Sequence, residues 1–232
     1  MGILTEIDGD IGLLLLDRPD RAHAYDRRHL TDLSIGLTDL ESRCFVIVIS
    51  STGQGAFCGG ADLNEMNNAD PLDALDLFSQ QVFNRIAQSP AIIIAAVQGP
   101  AVAGGFELAL ACDVRVIGPN ARFLLPETRL GLIPSAGGCT RLTRLVGPAR
   151  AKEVILAGFQ IDARTALRWG LSERLVDEPL DQARNLAAQI ATSDPVALRL
   201  AKQIIDASED ANSLRAERVA EALLYARRQT AP

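Results

Sequence analysis

The 232-residue chain is 48% apolar and 22% charged with a formal net charge of −6, a balance that excludes a disordered or fibrous protein and offers nucleic acid no basic surface. Its longest apolar runs, Ala91 to Val97 and Cys44 to Ile49, fall far short of the ~18 residues that span a membrane. Glu6, Asp8 and Asp10 stand where a secretory leader carries basic residues, so a cytoplasmic protein of one ordinary domain, with no membrane association, is expected.

In chain order, Gly2 to Asp8 and Ile11 to Asp17 read as two strands joined at Gly9-Asp10 in a hairpin. Leu30, Leu33, Leu37 and Leu40 recur at helical spacing and predict an amphipathic helix from Asp26 to Ser42. Cys44 to Ser50 is a β-branched run of the kind buried on both faces of a parallel sheet. A helix over 71–88, a second buried strand Ala91 to Val97, a glycine-containing loop and a helix from Gly104 to Cys112 repeat the alternation, which makes the fold class α/β. Short strands at Val114 to Ile117 and Arg122 to Leu124 lead into the loop Pro126 to Pro134, and Gly137-Gly138 opens another helix. From Pro148 onward the chain reads as helical: Gly158 ends one helix, Asp162 to Gly170 forms a second, Val176 marks a last strand, and Pro195 starts a terminal helical block.

The residues able to carry chemistry are few. Cys44, Cys58, Cys112 and Cys139 form no CxxC pair and read as small apolar fillers. His23 and His29 are six residues apart, which excludes an i, i+4 metal pair. Two glycine-rich loops, Gly53 to Gly60 and Gly99 to Gly105, each follow a buried strand, the edge where open α/β sheets bind ligands, yet both lack the Gly-Lys-Ser/Thr of a phosphate loop. Ordinary turn glycine is one reading of each. Taken together, the N–H groups of Ala61 and Gly104 are candidates for a two-donor oxyanion hole, because small residues let backbone approach a substrate carbonyl. Glu107 is the single charge in an apolar helix, and Glu127 follows Pro126 at the end of an apolar strand. Each is open to a helix-dipole reading or to a role in proton transfer.

These residues resemble those of the crotonase superfamily, the enoyl-CoA hydratase/isomerase family. The resemblance runs along nearly the whole chain, in Arg18-Pro19 with Ala24, GAFCGGADL at 55–63, Glu65-Met66, GPAVAGGFELALACD at 99–113, PETRLGLIP at 126–134, AGGCTRL at 136–142 and LVG at 145–147. It implies a crotonase-like spiral of ββα units over residues 1–190 and a helical C-terminal trimerisation region, shortened here, over 191–232, in a homotrimer or dimer of trimers. It also implies an acyl-CoA thioester as substrate, with no metal and no cofactor beyond the CoA that the substrate carries. The oxyanion-hole amides then fall on Ala61 and Gly104, and the catalytic pair on Glu107 and Glu127. Ala22, Ala24, Gly60, Asp62, Leu63 and Asn64 line the substrate and its CoA arm. Asn64 stands where a lysine is frequent in the family, and Ser135 replaces a common glycine.

Retention of both acids makes enoyl-CoA hydratase the leading function, since hydration uses the pair to hold and deprotonate water. An enoyl-CoA isomerase or other crotonase reaction would share the oxyanion hole and use one acid. A catalytically inactive acyl-CoA-binding or assembly subunit would bind without turnover. His23 and Tyr25 read as a loop pair packed on the surface and stand outside the catalytic set.

Overall fold

The computed structural model describes residues 2–62, 77–207 and 219–224. The opening hairpin pairs β1 (Ile3–Asp8) with β2 (Ile11–Leu16) antiparallel, closed by Gly9 at φ 58°, the left-handed conformation that a two-residue turn demands. The apolar runs then stack in parallel: β2 pairs with β3 (Val46–Ser51), β3 with β4 (Ile92–Val97), β4 with β6 (Val114–Ile117) and β6 with β9 (Arg174–Leu175). The last strand thus lies one residue before the predicted Val176, whose N–H still bonds the carbonyl of Ile117 at 3.0 Å.

Burial on both sheet faces explains why these strands do not alternate in polarity. One face packs Leu14, Ile47, Ile49 and Ile93 against α1 (Arg27–Glu41), α2 (Phe78–Ala87) and α3 (Gly104–Ala111). The other packs Val46, Val48, Ile94 and Val116 against Ala183 and Ala187 of α7 (Pro179–Ala191). The helix predicted over 71–88 is seen as Phe78–Ala87, and residues 71–76 lie outside the described ones.

A second sheet, β5-β7-β8, supplies the frame of the site. It joins β5 (Pro100–Val102), β7 (Arg122–Leu124) and β8 (Ile161–Asp162). The segment Gly99 to Gly105 is therefore a strand as well as a loop: β5 pairs with β7 in parallel and bridges Cys58 through Ala101. A three-residue strand between glycines has no periodicity to betray it. The helices α4 (Gly138–Val146), α5 (Pro148–Ala157), α6 (Ala163–Trp169) and α8 (Pro195–Asp206) follow. Asp162 and Asp194 cap α6 and α8 by accepting their first free N–H groups.

Candidate active site

The two glycine loops meet where α3 begins. Tyr25 N–H donates to the carbonyl of Gly60 at 2.9 Å and Asp62 N–H to the carbonyl of Tyr25 at 2.7 Å, a parallel bridge that turns the N–H of Ala61 to the opposite side of its segment. Gly60 sits at φ 90°, and a Cβ on it would lie 3.2 Å from the N atom of Gly104. Gly60, the residue before Ala61, thus packs against the start of α3 at Gly104 with no room for a side chain. Ala103, just before Gly104, holds φ 51° and ψ −127°, a costly conformation for a residue with a Cβ. Its N–H donates to the carbonyl of Leu124 at 2.8 Å and its carbonyl accepts from Phe106 and Glu107, so the turn is fixed from both sides.

Glu107 lies in the first turn of α3, a helix whose eight residues are all buried. One carboxylate oxygen accepts the N–H groups of Ala136 and Gly138, each at 2.8 Å. Burial pushes its proton affinity above the ordinary carboxylate value, opposed by those two amides and by Arg141. Glu127 opens a 3₁₀ turn (Glu127–Leu130) three residues beyond Leu124, the residue bonded to Ala103. Its Oε2 is buried with no hydrogen-bond partner among the described residues. Burial, reinforced by the charge of Glu107, lifts its pKa to about 7. The charge of Glu107 thus acts on Glu127, which holds its proton up to about neutrality.

The CoA-arm candidates divide. Ala22, at φ 49°, accepts the N–H of Gly59 at 2.8 Å, and Ala24 accepts a bond from Arg18 Nη1 at 3.0 Å. Arg18 also pairs with Asp62 at 3.0 Å, so the carboxylate next to Ala61 is neutralised by a cation across the gap between the loops. Leu63 and Asn64 lie outside the described residues.

His23 and Tyr25 are corrected: neither packs on the surface, at 3% and 9% exposure. His23 Nδ1 accepts the N–H of Arg18 at 3.1 Å, which requires a neutral ring, and burial lowers its pKa accordingly. The Tyr25 hydroxyl occupies the space where a Cβ on Gly104 would fall, at 1.8 Å, and it bonds the side chain of Ser79 on α2. Burial raises its pKa well above the ordinary phenol value, and the nearby Cys58, Glu107 and Glu127 push in the same direction. No local signal in the sequence gave this away, because the ion pair of Arg18 with Asp62 beside this loop joins segments far apart in the chain. Cys139 also faces both glutamates and, half-buried, is less of a core filler than Cys44, Cys58 and Cys112. Among the described residues no group of three or more His, Cys, Asp or Glu could hold a metal ion, and no helix is long and apolar enough to cross a membrane.

A short-chain-enoyl-CoA hydratase of Clostridium acetobutylicum is 34% identical over 210 residues, covering 88% of this chain and 80% of that protein. A carnitinyl-CoA dehydratase of Proteus mirabilis is 36% identical over 211 residues, 87% and 79% of the two chains. The crystal structure of an enoyl-CoA hydratase from Bacillus anthracis superposes with a TM-score of 0.92 at 33% identity, over 96% of this chain and 90% of that one, a match in which the α/β spiral of the two sheets is the crotonase fold. The family model described as enoyl-CoA hydratase/isomerase matches residues 6–231, and the chain belongs to that family.

Proposed function

We propose that the protein is an enoyl-CoA hydratase, a lyase that adds water reversibly to a 2-enoyl-CoA thioester to give the 3-hydroxyacyl-CoA. The observation that carries this reading is the pairing of Glu107 and Glu127, two buried acids with raised proton affinity, beside the juxtaposed segments of Ala61 and Gly104. Relatives named as enoyl-CoA hydratases over most of the chain support it.

In the proposed reaction the amides of Ala61 and Gly104 hold the thioester oxygen as negative charge grows on it. Glu107, whose charged form two amides favour, takes a proton from water as the water oxygen bonds the β-carbon. Glu127, protonated below about pH 7, delivers its proton to the α-carbon. The thioester gains one hydrogen and one hydroxyl, and the pair holds a single proton before and after the addition. The reverse elimination starts from the same count with the proton on the other acid. The reaction as written uses no metal and no cofactor beyond the CoA of the substrate. Ala22, Ala24, Gly60, Asp62, Leu63 and Asn64 are assigned to the substrate and its CoA arm, and Arg18 removes the repulsion that Asp62 would otherwise exert on CoA phosphates.

Loss of the enoyl chromophore of crotonyl-CoA measures the reaction. Glu107→Gln and Glu127→Gln are each expected to lower kcat by roughly 10²–10⁴-fold with the protein still folded. Full activity in both variants would overturn the role of the pair. An isomerase would instead turn over a 3-enoyl-CoA and lose activity in one variant alone.

We also propose that the chain works as a homotrimer or dimer of trimers in the cytoplasm, its contacts carried by the C-terminal helical region over 191–232 against the ββα core of 1–190. The supporting observation is apolar surface: Ile205, Val219 and Leu223 are more than half exposed.

A further inference from the structure

Helix α2 presents one face to the site, and two of its side chains reach the loop that holds Glu107. Gln80 Nε2 donates to the carbonyl of Ser135 at 2.6 Å. Asn84 Oδ1 accepts from Arg141 Nη2 at 2.6 Å, and Arg141 Nη1 donates to the carbonyl of Ala136 at 2.9 Å. Ala136 is the residue whose N–H donates to Glu107. Between the two amides on Glu107 lies Gly137 at φ 110°, where a Cβ would fall 1.9 Å from Arg141 Nη1. The guanidinium therefore packs directly over the turn, and it is half-buried there.

We propose that Arg141, steadied from α2 by Asn84, is a positioning residue for Glu107. It pins the carbonyl of Ala136 so that the amides of Ala136 and Gly138 converge on one carboxylate oxygen, and it adds a fixed positive charge behind that carboxylate. The forked guanidinium suits the task because one nitrogen serves the loop and the other serves α2, a geometry an ammonium cannot copy. Among the described residues, the titratable and charged groups that interact electrostatically with Glu107 include Arg141 and Cys139 from α4, Glu127 from the 3₁₀ turn, and Tyr25 from the segment before α1. Arg141 is the cation among them, and its charge favours ionised Glu107 while burial opposes it.

The inference rests on Glu107 acting as a catalytic carboxylate, and its test is chosen to be readable without turnover. The carboxyl stretch of Glu107 is followed against pH by infrared difference spectroscopy, assigned by its absence in Glu107→Gln. In Arg141→Gln the titration midpoint is expected to rise by about one pH unit, because the cation that favoured the charged form is gone. With crotonyl-CoA, kcat is expected to fall roughly 10²-fold with little change in KM. Arg141→Lys restores the midpoint and only part of kcat, since it returns the charge without the fork. An unchanged midpoint and an unchanged kcat in Arg141→Gln overturn the proposal. Should that variant fail to fold, Asn84→Ala, which alters an exposed side chain, decides the matter: an unchanged kcat there overturns it equally. An inactive wild-type protein would sink the hydratase reading, while the infrared midpoint would still report on Arg141.

Discussion

A carboxylic acid whose pKa stands near 7 is useful to a proton-transfer enzyme and costly to its fold. Glu127, the proposed proton donor, shows the cost. Its folded pKa is about 7 against 4.5 for the free side chain, so the folded state holds the proton more tightly than the unfolded one. The linkage then has one sign: this group's contribution is fully present below pH 4.5 and is lost as the pH rises through about 7. Above neutrality the protein must keep a buried carboxylate ionised, with Oε2 lacking a partner among the described residues. Glu127→Gln carries no charge at any pH. It is therefore expected to be more stable than the wild type at pH 8, by roughly 1–3 kcal/mol after allowance for solvent screening, and close to it at pH 4. Denaturant unfolding at the two pH values checks this, and equal stability at pH 8 would mean that the site does not strain Glu127. A stabilised but inactive variant is the outcome expected when a residue is kept for chemistry rather than for packing.

At the scale of elements, the turn Cys58 to Asp62 and the strand β5 decide whether two amides converge. Gly60 has no room for a side chain: a Cβ would lie 2.9 Å from the carbonyl oxygen of Val102 and 3.0 Å from Cβ of Ala103. Its φ of 90° adds strain for any other residue. Gly60→Ala is expected to push the Ala61 segment off Gly104 and lower kcat by roughly 10²–10³-fold, the loss typical of one oxyanion donor. Circular dichroism should stay native, because the named strands and helices lie outside this turn, which meets β5 at the bridge of Cys58 to Ala101. Near-normal kcat would show that the Ala61 amide does not take part. The same turn marks the boundary of what could be read from residues alone. The hairpin, the buried parallel strands and the helix from Asp26 were legible because hydrophobic period and caps are local signals. β5 was not, since its three residues pair with β7 and Cys58 across long stretches of chain. Glu107 stood out as a charge in an apolar helix, whereas the amides that receive it sit on a loop about thirty residues later, beyond any spacing rule. Tyr25 and His23 were misread for a related reason: the ion pair between Arg18 and Asp62 that folds their loop inward is a contact between distant segments.

For the molecule as a whole, the arrangement joins the two sheets to a helix that is stapled on one side and bare on another. Lys202 of α8 is 8% exposed and reaches into the sheet, donating to the carbonyl of Ala91 at 3.0 Å and to Asp113 Oδ2 at 2.8 Å. Asp113 Oδ2 also accepts the N–H of Ile93 at 2.7 Å, so one carboxylate oxygen ties α8 to the start of β4 and to the chain between α3 and β6. Burial raises the proton affinity of Asp113, and the charge of Lys202 holds it down. Removing that cation leaves a mostly buried acid with one amide for company, a loss of roughly 1–3 kcal/mol. Ile205, one turn further along α8, is 69% exposed, and Val219 and Leu223 add more apolar surface after it. If that surface is the subunit contact, its presentation depends on the Lys202 staple. Sedimentation equilibrium is then expected to give three or six copies of the 24.8 kDa chain for the wild type. Lys202→Met should shift the distribution toward the single chain at concentrations where the far-ultraviolet dichroism is still native. Adding Asp113→Asn should recover part of the lost stability, because the orphaned charge goes with it, but little of the assembly, because the staple is still missing. A wild-type protein that sediments as one chain would remove the subunit role of this region, and a Lys202→Met variant that assembles normally would show that α8 holds its position without the pair.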